Sequence, residues 1–125
     1  MFLAFSCYKN FKVYQIDVKL AFLNGKLKEE VYIEQPEGFL LSENGVYVCK
    51  LKNALYGLKQ APRAWFSMLD NYLKQQGYKR GATKINLYLK FEDKNMIIVV
   101  VYVDDIIFGS NIQILSVDFA LEMKK

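Results

Sequence analysis

The stretch MIIVVVYVDDIIFGS, Met96–Ser110, decides the fold. Eight apolar or aromatic residues run into two adjacent aspartates, and Ile106, Ile107 and Phe108 follow at once. A β-branched run of this length, bounded by polar residues, predicts a buried strand. With Asp104-Asp105 as a two-residue turn, the two apolar runs fold back on each other as a β-hairpin. Two neighbouring carboxylates at the end of a core hairpin repel each other and resist desolvation. A divalent cation relieves both penalties, because Mg²⁺ takes hard oxygen ligands. The plain alternative is a solvated acidic turn that joins two strands.

Working outward, Ile85–Phe91 alternates apolar and polar residues as a further strand, and Glu92–Asn95 turns it into the hairpin. Beyond Gly109-Ser110, the spacing of Ile112, Leu115, Phe119 and Met123 predicts an amphipathic helix. On the upstream side, Ala61, Trp65, Met68, Leu69, Tyr72 and Leu73 share one helical face, Pro62 suits the helix start and Gly77 its stop. Earlier still, Val46–Leu51 and Val31–Gln35 read as short strands, with Pro36-Glu37-Gly38 ending the latter and a loop over Leu40–Gly45. Asn24-Gly25 marks a turn, and Phe11–Val18 alternates with period two as a half-buried strand containing Asp17. Phe2–Phe5 reads as the end of a packed helix.

This order predicts an α+β architecture, an antiparallel sheet covered by helices on one face. Asp17 then closes one central strand while Asp104 and Asp105 sit at a hairpin tip. Adjacent antiparallel strands would bring the three carboxylates to one sheet edge. Such a cluster can hold two Mg²⁺ ions about 3.5–4 Å apart, the arrangement behind in-line phosphoryl transfer.

Composition narrows the alternatives. The 125 residues fit one domain, and 53% hydrophobic content with nine Phe and nine Tyr supplies core material. The absence of histidine removes Ser-His and Cys-His catalysis and argues against zinc. Cys7 and Cys49 lack metal-type spacing and fit a reduced, intracellular chain. The apolar run before Asp104 falls far short of the ~20 residues that cross a bilayer as a helix. A net charge of +4, with basic residues accumulating between Lys50 and Lys90, permits a polyanionic partner without requiring one.

Three blocks carry a specific resemblance. QIDVKLAFLNGKLKEEVYIEQPEGF (15–39), VCKLKNALYGLKQAPRAWF (48–66) and VVVYVDDIIFGS (99–110) closely resemble, in order and spacing, the reverse transcriptase of copia-type LTR retrotransposons, in wording most like plant elements. The resemblance implies the palm of a right-hand polymerase with part of the fingers, in one partial domain over 1–125. The upstream fingers segment, thumb and RNase H domain of the family are not in these residues. It implies an RNA-directed DNA polymerase of a Pol polyprotein, using Mg²⁺ (with Mn²⁺ as a substitute), a primed RNA or DNA template and deoxynucleoside triphosphates. An intracellular setting follows, in a cytoplasmic particle or the nucleus.

Carried over by position, Asp17 and Asp104 are the principal catalytic metal ligands, Asp105 supports them and the Val18 carbonyl adds a ligand. Phe22 matches the aromatic residue beneath the incoming sugar, where its ring would exclude a 2′-hydroxyl. Tyr56, Gly57 and Gln60 match the segment lining the nascent base pair, Lys59 and Arg63 would meet template phosphate or sugar, and Tyr102 would lie near the primer terminus. Core packing is the competing role for Trp65 and Phe22. Two positions depart from the family: Lys84 stands where related elements usually carry an aspartate, and Leu20 where a small residue is usual. The alternative function is an inactive retrotransposon relic with weak nucleic-acid binding, and the isolated chain is expected to polymerise poorly. An unrelated α+β domain with an acidic turn is the third reading.

Overall fold

The computed structural model describes residues 2–19, 21–35, 38 and 47–124. The expected loop over 40–45, the Pro36-Glu37 strand stop, Val46 and Leu20 lie outside the described residues. Two compact units form, residues 1–19 with 70–125, and residues 20–69.

The first unit is built on the apolar run. It becomes β6 (Asn95–Tyr102) of a five-stranded antiparallel sheet, flanked by β7 (Asp105–Ser110) and β5 (Leu87–Glu92). Outside these lie β1 (Lys12–Asp17) and the two-residue β4 (Lys79–Arg80), giving the order β1-β7-β6-β5-β4. Ile97, Val99 and Val101 point to one side of β6 and Ile98 and Val100 to the other, yet all five are buried. A strand covered on both faces reads as a continuous apolar run, which is why its sequence does not alternate.

On one face, Phe108 pairs in register with Val99 and stacks near Tyr14. Here α3 (Gln113–Met123) inserts Phe119, whose ring centroid lies 4.7 Å from that of Phe108 and 5.8 Å from that of Tyr78. Tyr88, fully buried on this face, donates its hydroxyl to Asp70 Oδ1 at 2.7 Å. Burial first, and acceptance by Asp70 second, push the Tyr88 phenol far up, so it stays a donor. Lys74 closes on the other Asp70 oxygen at 2.8 Å, so the buried carboxylate is paired rather than isolated.

The opposite face carries Ile98, Val100 and Phe11, with Leu87, Leu89, Met96 and Phe2 packed against them. Phe2 belongs to α1 (Phe2–Tyr8), so helices do not cover one face only. The expectation of one-sided cover fails because β6 presents apolar side chains to both sides and each needs burial. Beside α1, an open cavity of about 820 Å³ is lined by Phe2, Phe5, Leu87, Ile98, Val100 and Tyr102.

In the second unit, a 3₁₀ turn over Ala21–Asn24 leads to β2 (Tyr32–Glu34), which pairs with β3 (Val48–Lys50). The predicted helix is α2 (Ala61–Gln75), whose residues up to Leu69 fall in this unit and the remainder in the first. Its expected apolar face is buried at Ala61, Trp65, Leu69 and Leu73. It ends as foreseen at Gly77, which takes φ +89°. The Gly77 and Tyr78 amides donate to Lys74 O and Leu73 O, the paired bonds of a glycine helix stop. No described helix is long and apolar enough to cross a membrane.

Candidate metal centre

The acidic site grows out of strand register. Asp17 ends β1 directly opposite Asp105, the first residue of β7, and Asp105 in turn faces Tyr102 at the end of β6. Cross-strand partners share a sheet face, so the two carboxylates meet side by side, a pairing that like charges alone disfavour. Asp104 is brought in by the turn. Its carbonyl accepts from the Val18 amide at 2.9 Å, which ties the hairpin tip to the end of β1. As a result one carboxylate oxygen from each of Asp17, Asp104 and Asp105 lies within 4.8 Å of the others, with Asp17 exposed and the other two half-buried.

Two expectations need correction. The turn residues are Val103 and Asp104, not Asp104 and Asp105, because Asp105 already pairs with Tyr102. That one-residue shift puts Asp105 on the same face as Asp17. β1, read as a central strand, is instead an edge strand of the described sheet, and most of its residues are exposed. An edge suits the site, since it leaves Asp17 open to solvent. Val103 occupies the left-handed region at φ +50°, unusual for a β-branched residue.

No described Lys or Arg forms an ion pair with any of the three aspartates. The Gln15 side-chain amide donates to Asp105 Oδ1 at 3.0 Å, a contact the sequence reading missed. The signal was there, since Gln15 precedes Asp17 by two and so shares its face. Three converging hard oxygen donors without a cationic side chain fit Mg²⁺ or Mn²⁺.

The remaining candidates in the second unit are arranged as follows. The Phe22 and Tyr56 rings lie 4.8 Å apart, tilted by 37°. Gly57 is exposed with φ +91°, a conformation open to glycine at little cost. Lys59 is exposed, while Gln60 and Arg63 line a small polar cleft. In the first unit Tyr102 is 55% exposed beside the acidic turn.

Three carboxylates gathered at one edge of an antiparallel sheet suit the divalent-metal sites of phosphoryl-transfer domains. The family comparison is specific: all 125 residues match the family model described as Reverse transcriptase (RNA-dependent DNA polymerase), and the chain belongs to that family. It is similar to the Retrovirus-related Pol polyprotein from transposon TNT 1-94 of Nicotiana tabacum, 48% identical over 97 residues, 77% of this chain and 7% of that protein. It is also 44% identical over 103 residues, 82% of the chain and 7% of the relative, to the Pol polyprotein from transposon RE1 of Arabidopsis thaliana. A putative transposon Ty5-1 protein of Saccharomyces cerevisiae is 40% identical over 95 residues, 76% of the chain and 31% of that protein. The chain thus spans about 7% of the length of the plant relatives. No solved structure matches it.

Proposed function

We propose that the chain is the catalytic palm, with part of the fingers, of an RNA-directed DNA polymerase from a copia-type retrotransposon. On this reading residues 1–19 and 70–125 supply the palm and residues 20–69 contribute to the fingers, and the protein works inside the cell, in a cytoplasmic particle or the nucleus. The observation that carries it is the convergence of Asp17 with the pair Asp104-Asp105, far along the chain, with one carboxylate oxygen from each within 4.8 Å of the others.

Two bound Mg²⁺ ions would supply Lewis acidity at the primer hydroxyl and at the leaving pyrophosphate. The chain's own part is to hold and orient. Asp17 and Asp104 are the principal ligands, the Val18 carbonyl adds an oxygen, and Asp105 supports them. The Gln15 amide donates to Asp105 Oδ1 at 3.0 Å and so helps to hold that carboxylate's orientation. Phe22, braced by the Tyr56 ring, would form the floor beneath the incoming sugar and exclude a 2′-hydroxyl by bulk. Gly57 would let backbone approach the nascent base pair and Gln60 would hydrogen-bond there. Lys59 and Arg63 would hold template phosphate or sugar, and Tyr102 would flank the primer end.

Primer extension on an RNA template with Mg²⁺ tests this. Weak extension by the parent chain that disappears in Asp104→Asn is the expected result. Equal background in both chains would overturn the catalytic role and favour a relic.

A further inference from the structure

Within residues 20–69 a second polar site is built. Lys26, Lys28, Arg63, Gln60, Ser67 and Glu29 line a cleft of about 80 Å³. Three cations against one carboxylate leave a formal +2 there. Organic ligands occupy roughly 300–1,000 Å³, so this cleft suits a single small anionic group and no base or ring.

The cleft is held by backbone, not by chance side-chain placement. Gly25 lies so close to α2 that a Cβ there would come within 2.7 Å of Trp65 N and 2.9 Å of Ala64 C. Ala54 N–H donates to Gly25 O at 2.8 Å, Lys26 bridges Asn53, and Leu27 N–H donates to Lys52 O at 3.2 Å. The segment carrying Lys26 and Lys28 is therefore pinned against the first turn of the helix that carries Arg63. No described carboxylate forms an ion pair with Lys26, Lys28 or Arg63. Helix-end amides add little: Ala61 and Ala64 already donate to Leu58 O and Gln60 O, and Pro62 has no N–H. The site is one of converging side chains.

We propose that this cleft seats one backbone phosphate of a nucleic-acid strand. A phosphodiester presents oxygens that can accept from Arg63, Lys26, Lys28, Gln60 and Ser67 together, and charge-assisted donors of this kind bind phosphate strongly. The inference deepens the polymerase reading, on which it rests for the identity of the strand. It adds Lys26 and Lys28 to the strand contacts and moves Gln60 from the base pair to the backbone.

Binding of a fluorescein-labelled 12-nucleotide single-stranded RNA is measured by anisotropy in EDTA across a salt series. Lys26→Gln/Lys28→Gln/Arg63→Gln should flatten the slope of log affinity against log salt by about 0.7, which weakens binding about eightfold at 50 mM salt and about fourfold at 150 mM. Lys79→Gln/Lys94→Gln/Lys124→Gln, with the same loss of charge in the other unit, should keep the parent slope. Gly25→Ala keeps every charge but lifts the lysine segment off the helix, and should reproduce the loss in protein whose circular dichroism is unchanged. The proposal is overturned if the cleft variant keeps the parent slope or the control loses as much. It is equally overturned if dTTP or poly-glutamate, matched in charge, displaces the RNA from the parent as well as unlabelled RNA does. Because the binding assay contains EDTA and no metal, a failure here bears on the cleft alone, whereas loss of extension in Asp104→Asn, whose cleft is intact, bears on the carboxylates.

Discussion

Replacing Val103 by asparagine should stabilise this protein, against the usual direction of point mutations. Val103 is held at φ +50° in the turn that presents Asp104, a region costing an L-residue roughly 1–2 kcal/mol. Asparagine tolerates this conformation far better than a β-branched residue. Against that gain stands lost packing. The Val103 residue is 63% exposed, so about a third of a valine burial worth roughly 1.5 kcal/mol is at stake, about 0.5 kcal/mol. The net expectation is about 1 kcal/mol of added stability, a rise of roughly 3–4 °C in Tm for a chain of this size. Val103→Ala is the comparison: it loses the same contacts with little relief of strain and should be destabilised by about 0.5 kcal/mol. Urea unfolding of the three proteins reads both numbers. If Val103→Asn falls below the parent, the turn is held by the valine side chain and the strain argument is wrong.

Asp104→Asn removes one of three converging negative charges, so without metal its Tm should exceed that of the parent. Mg²⁺ at a hundredfold excess over Kd should then stabilise the parent by about 2.7 kcal/mol and the variant much less. A parent whose unfolding is indifferent to Mg²⁺ and Mn²⁺ would sink the metal site. Asp70 sets a pH dependence. Burial pushes its carboxyl up, but hydrogen bonds from Lys74 and Tyr88 and the charges of Lys74 and Arg80 outweigh this and hold it below the ordinary 3.8. Its contribution to stability is therefore full above that value and is lost as pH falls through the lower folded one. Asp70→Asn should be less stable at pH 7 and lose less on acidification below about pH 4. Parallel stability curves for parent and variant would contradict it.

Much of the fold is legible because local patterns and burial agree. The run from Ile97 to Val101 announces a buried strand, and the face of Trp65, Leu69 and Leu73 announces α2; that the strand is covered on both sides is known only from the structure. Gly77 ends that helix where a positive φ is required. What failed did so for want of register. Lys79-Arg80 is too short to show periodicity and becomes β4 only by pairing with Leu89 and Tyr88. The acidic turn lies one residue earlier than the Asp-Asp pair suggests, because local sequence does not say whether Asp105 turns or pairs.

By itself the sequence determined the family and the order of the elements other than β4, and it singled out three aspartates as candidates, since these depend on local spacing and on residue type. Only the tertiary structure decided that Asp17 faces Asp105 and that β1 is an edge strand. Only there does Gly25 bring Lys26 and Lys28 beside Arg63. The reason is physical: pairing register and close backbone approach join residues far apart in the chain, and no window of local sequence contains both partners.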